Sequence, residues 1–134
     1  MAGPEHPSWA DHFVEVLRAP LARLVDKVGD EMTLTLWSDC CGKCTEMSAF
    51  GEVADSLKRS FGVNFNLRLY GGSDNTQHCR KFVDVNFHPP HFADDIYRRD
   101  FDAGTFACEL CGKECPLPTS GVDIYWCCFR AVSY

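Results

Sequence analysis

Leu34-Thr35-Leu36-Trp37-Ser38-Asp39-Cys40-Cys41-Gly42-Lys43-Cys44-Thr45-Glu46 joins a short apolar run, a turn of small and polar residues, and the start of an amphipathic stretch. Residues 33–37 predict a strand. Residues 45–60, with Met47, Phe50, Val53 and Leu57 on one face, predict a helix that Gly62 stops. Downstream, Phe65, Leu67 and Leu69 alternate with Asn66, Arg68 and Tyr70, the pattern of a half-exposed strand over 65–70. Residues 76–87 predict a third helix, ended by Pro89-Pro90, and an extended piece through Phe92 leads into Asp94-Asp95-Ile96. Residues 102–120 read as a loop long enough to be an insertion, and 122–128 as the last strand. Upstream, Ser8 and Asp11 form a capping-box pattern before a helix over 9–27. Its stripe of Trp9, Phe13, Val16, Leu17, Leu21, Leu24, Val25 and Val28 is expected to pack as core, with Pro20 kinking or dividing the helix. Strands that alternate with helices in units of roughly thirty residues argue for a parallel α/β sheet.

The chain has 134 residues, 46% of them hydrophobic, which allows one modest core. No apolar stretch is long enough to span a bilayer, and the first residues carry no cationic flank or apolar segment of a secretory signal. The nine cysteines therefore read as thiols or ligands in a reducing, intracellular compartment, nucleus or cytoplasm. A formal charge of −6, with basic residues scattered as Lys58-Arg59, Arg80-Lys81 and Arg98-Arg99, argues against a free-standing nucleic-acid binder.

Three features follow one another in the order that Rossmann-like methyltransferases use. The turn from Asp39 to Gly42 closes the first strand. Asp74 stands just past the second, in Leu69-Tyr70-Gly71-Gly72-Ser73-Asp74-Asn75, and Asp95-Ile96 follows His91-Phe92-Ala93-Asp94. With the closing run Asp123-Ile124-Tyr125-Trp126-Cys127-Cys128-Phe129, the set over residues 33–131 resembles the cofactor-binding part of the cytosine-5 DNA methyltransferases. In that family the first turn is commonly Phe-x-Gly-x-Gly-Gly. Here only Gly42 is glycine, with Cys41 and Cys44 near positions that are often glycine.

The resemblance implies a partial Rossmann-like S-adenosylmethionine-dependent methyltransferase fold, the first four parallel strands with flanking helices. Residues 1–32 would form a helical extension and 33–134 the partial domain. Ser38, Asp39, Cys40, Gly42, Asp74, Asn75, Asp95 and Ile96 would bind the cofactor, with the Asp39–Gly42 turn near its methionine part, Asp74 on its ribose, and Asp95 and Ile96 on its adenine. The family's nucleophilic cysteine follows the last strand, and Arg130 and Ala131 stand where its Pro-Cys would be. The chain alone is thus expected to be catalytically inactive, to meet DNA only through later parts it lacks, and to leave the 122–128 strand edge open to a complementing protein. Asp94 and Asp95 read equally well as a helix cap before Tyr97.

The cysteines keep two other readings open. Residues 40–44 and 108–115 each contain Cys-x-x-Cys, a zinc-ligand spacing; Cys111-Gly112-Lys113 resembles a zinc knuckle, and Cys108, Cys111 and Cys115 alone would offer three thiolates, with His78, His88 or His91 as a fourth ligand. Cys41-Gly42-Lys43-Cys44 after a strand ending in Trp37 resembles the thioredoxin motif, in which a helix N-terminus activates a thiol.

Overall fold

The computed structural model describes residues 8–118 and 122–127. Cys128, Arg130 and Ala131, and with them the expected nucleophile position, lie outside the described residues. The chain divides into two compact units, one drawn from Met1–Thr33 and Glu46–Leu67, the other from Leu34–Thr45 and Arg68–Tyr134.

The first unit begins with the expected capping box. The Asp11 amide donates to Ser8 Oγ and the Ser8 amide donates to Asp11 Oδ2, both at 3.2 Å. Helix α1 spans Trp9–Val16 and α2 spans Arg18–Val28. The division falls at Leu17, not at Pro20. Pro20 occupies the first turn of α2, where its missing N–H is not needed, so it starts a helix and kinks none. The single core stripe does not form either. Ala10 and Val14 are buried, but Trp9, Phe13, Val16, Leu24 and Val28 are exposed, and no side chain of α2 is buried. Splitting the helix breaks the continuous face that the spacing implied.

Helix α3 covers Thr45–Phe61, as its pattern predicts. Gly62 ends it at φ +73, a left-handed conformation that glycine reaches without steric penalty. Phe50 of α3 stacks on Phe65, ring centres 6.4 Å apart. Asp11 reaches α3 as well, accepting from Ser56 Oγ at 2.7 Å and from Arg59 Nη2 at 2.6 Å.

Strands β1 (Glu31–Asp39) and β2 (Asn64–Ser73) both run further than their apolar cores suggested. They form a three-stranded parallel sheet with β6 (Ile124–Cys127), in the order β2-β1-β6. Leu36 pairs with Ile124 and Asp39 with Cys127. On the far side of β2, Ser73 makes a parallel bridge to Ala93. The fourth parallel strand is thus reduced to one bridge. Helix α4 (Gln77–Phe87) lies between β2 and that bridge in sequence.

The predicted strand ends at Tyr70, but β2 continues through Gly71-Gly72. A Cβ on Gly72 would stand 2.0 Å from the Ser38 carbonyl oxygen, so only glycine lets β2 lie this close to β1.

The expected loop over 102–120 is the main departure. It contains an antiparallel hairpin, β4 (Thr105–Cys108) and β5 (Lys113–Pro116), which joins β3 (Arg99–Asp100) in a second three-stranded sheet. Each strand has only four residues, and β5 is Lys-Glu-Cys-Pro, so the pair carries little β signal. Their fold rests on Phe106, Cys108 and Cys115 turning inward against Trp37.

Two predictions follow from these contacts. Gly72→Ala is expected to destabilise the chain by about 1–3 kcal/mol in denaturant unfolding, through overpacking against backbone that cannot yield. The Asp11 carboxyl, held first by the Arg59 guanidinium and next by the Ser56 hydroxyl, falls from 3.8 to about 2. Because the folded pKa is the lower one, its stabilisation is complete above the unfolded value and is lost as pH falls through the folded value. Melting temperature should therefore drop between 3.8 and about 2, and Asp11→Asn should flatten that acid limb.

Candidate functional site

The C-terminal ends of β1 and β2 carry most of the residues singled out from sequence, all within the second unit. Asp39 is fully buried. Its Oδ1 accepts from Trp37 Nε1 at 2.9 Å and from Ser73 Oγ at 2.7 Å. The Arg99 guanidinium also donates to Oδ1, and the Tyr125 hydroxyl donates to Oδ2. That hydroxyl accepts in turn from Arg99 Nη1 at 2.8 Å. The Arg99 side chain is 4% exposed, and its carbon centre lies 5.7 Å from the Trp37 ring. Both oxygens of Asp39 are thus engaged by protein donors, which ties β1 to β2, β3 and β6.

The turn beyond Asp39 is left-handed at Cys40, Gly42 and Cys44, with φ of 51°, 56° and 51°. Two cysteines therefore adopt a backbone conformation that favours glycine. The space a side chain would take at Gly42 is clear to 4 Å. Asp74 joins this turn to the next. Its Oδ2 accepts from the Gly42 amide at 2.7 Å and its Oδ1 from the Thr76 amide at 2.8 Å. The Asp74 amide donates to the Ala93 carbonyl at 3.2 Å, so the Asp95-Ile96 segment leaves from the same end of the sheet. Asn75 is exposed and accepts from Thr76 Oγ1. Asp95 caps the short 3-10 turn Ile96–Arg98 by accepting from the Tyr97 amide at 2.9 Å, as the cap reading expected. Ile96 is half-buried. Ser38 is buried in β1.

Cys41 and Cys44 are buried, at 8% and 0% exposure, unlike the accessible nucleophile that the thioredoxin reading calls for. Cys40 is half-buried, and its thiol is pushed up first by burial and then by the Asp39 and Asp74 charges.

A second constellation lies on the hairpin. The ligand atoms of His91, Cys108, Cys111 and Cys115 all fall within 4.8 Å of one another, a group that could hold a metal ion. His91 Nδ1 is 3.4 Å from Cys111 Sγ and 3.9 Å from Cys108 Sγ. Of the three histidines considered from sequence, His78 is exposed on α4 and His88 is exposed at its C-cap, and neither belongs to this group. The His91 ring is set between Tyr70 and Phe106, at 5.3 and 6.4 Å. Phe106 meets Trp37 edge-on at 5.3 Å, so the cluster shares a wall with the Asp39 network.

Sequence reading missed Arg99, Tyr125 and Ser73 as partners of Asp39. No local signal marks them, since Arg99 lies 60 residues and Tyr125 86 residues from Asp39. No protein-family profile matches the sequence, and no curated protein matches it.

Removing one member of a buried ion pair strands the other. Asp39→Ala is therefore expected to cost about 3–5 kcal/mol. Combining it with Arg99→Met should recover a large part of that loss. A double-mutant cycle by urea unfolding measures the coupling, and strict additivity would show that the pair does not act as a unit.

Proposed function

We propose that the chain is an S-adenosylmethionine-binding, Rossmann-like domain of the cytosine-5 DNA methyltransferase type. One observation carries the reading. The parallel order of Ala93, β2, β1 and β6 changes direction at β1, and Asp74 grips the Gly42 amide at the carboxyl ends of these strands. Ligands of open α/β sheets bind outside such a reversal.

The donor set fits a nucleoside. Each Asp74 oxygen accepts one amide hydrogen bond and keeps a second lone pair, so the pair can accept both hydroxyls of a ribose. Asn75 would lie beside that diol. Ile96 would cover the adenine ring, and Asp95 would accept from its exocyclic amine. Ser38, Asp39, Cys40 and Gly42 would frame the methionine part, with Asp74 holding the turn through the Gly42 amide. The left-handed conformations at Cys40 and Cys44 support the reading, because they give a glycine-poor turn the backbone form that glycine favours.

When bound, the cofactor would supply an electrophilic methyl group. The chain's own part is to bind and orient it, since Ala131 offers no thiol at the family's nucleophile position. With a formal charge of −6, contact with DNA would fall to other segments.

A thermal melt with and without S-adenosylhomocysteine tests the proposal. Binding to the native state should raise the transition, by the equivalent of about 2.7 kcal/mol at a hundredfold excess over Kd. Ile96→Ala and Asp95→Ala should shrink the shift, each measured against its own ligand-free melt, because Asp95 also caps the 3-10 turn. A cooperative melt indifferent to the ligand would overturn the proposal and favour a cysteine-rich module with no nucleoside site.

A further inference from the structure

We propose that His91, Cys108, Cys111 and Cys115 bind one structural zinc ion, which staples the segment carrying His91 to the β4–β5 hairpin. The inference is independent of the cofactor reading. It begins with geometry. A tetrahedral zinc with its usual sulfur and nitrogen distances separates its ligands by about 3.8 Å (S···S) and about 3.5 Å (S···N). The histidine nitrogen stands 3.4 and 3.9 Å from two of the sulfurs, and all four ligand atoms lie within 4.8 Å.

Local structure delivers the ligands to that spacing. Cys108 ends β4 and Cys115 lies on β5 opposite Phe106, so antiparallel register brings both sulfurs to one side of the hairpin. Cys111 sits in the intervening turn, which Gly112 closes at φ +66 while its amide donates to the Cys108 carbonyl at 2.9 Å. The amides of Phe92 and Cys111 both donate to Cys108 Sγ at 3.4 Å. Amides aimed at a sulfur favour a thiolate, the form that binds metal. The aromatic rings on either side of His91 fix its orientation.

Three thiolates and an imidazole select a soft, tetrahedral ion over calcium or magnesium. Four protein ligands also leave no open position, so the ion is structural.

Metal analysis by mass spectrometry of the chain, purified without chelator, should find one zinc per chain. Cobalt should give the charge-transfer and d–d absorption of a thiolate-rich tetrahedral site. Cys111→Ser, at an exposed position, should lose the metal, whereas Cys79→Ser should keep it. A strong chelator should lower the melting temperature of the parent chain. Should Cys111→Ser not fold, cobalt titration of the parent chain refolded without metal decides the question by its spectrum. A folded, metal-free chain whose melt ignores added zinc would overturn the proposal. So would full zinc retention in both Cys111→Ser and His91→Ala, or iron in place of zinc.

Discussion

The buried carboxylate of Asp39 is the point on which the second unit depends. Withdrawing a carboxylate and a guanidinium from water is costly, and their attraction offsets that cost only if the remaining hydrogen-bonding capacity is filled. The carboxylate's capacity is filled from four places in the chain, Trp37 of β1, Ser73 of β2, Arg99 of β3 and Tyr125 of β6, while Arg99 Nε is buried without a hydrogen-bond partner among the described residues. Each donor arrives on a different strand. One charge therefore sets the register of the parallel sheet and its junction with the antiparallel hairpin together.

That network extends through aromatic contact into the cysteine cluster. Arg99 lies over Trp37, Trp37 meets Phe106 and Phe106 meets His91. A three-stranded sheet of short strands buries little apolar surface, and small sheets of this kind need a staple to hold their form. The proposed zinc would be that staple. It would also hold the segment that leads through the Ala93 bridge to Asp95 and Ile96, the residues proposed for the adenine side.

Much of the element order was legible because it is written in local spacing. The helix over 45–60, the helix over 76–87 and the capping box at Ser8 each follow from contacts within a few residues, and each is present. The helix break at Leu17 and the continuation of β2 through Gly71-Gly72 were not legible. The second depends on the neighbouring strand, which Gly72 lets approach. The hairpin over 105–116 was hidden for a related reason. Its strands have weak intrinsic preference and are held by their inward-facing aromatic and sulfur atoms.

The candidate sites divide in the same way. Spacing within one segment sufficed to single out Cys108, Cys111 and Cys115, because a tight turn brings such thiols together whatever the rest of the chain does. Only the tertiary structure chose His91 over His78 and His88, since that choice depends on where the segment after α4 crosses the hairpin. Sequence order likewise marked Asp39 and Asp74 as strand-end acids. Their separate roles, one enclosed by side-chain donors and one bonded to two turn amides, draw on one partner two positions away in each case and on others 32 to 86 positions away along the chain. Local patterns specify which groups are available. Long-range packing specifies which of them meet, because burial makes every unmatched polar group costly.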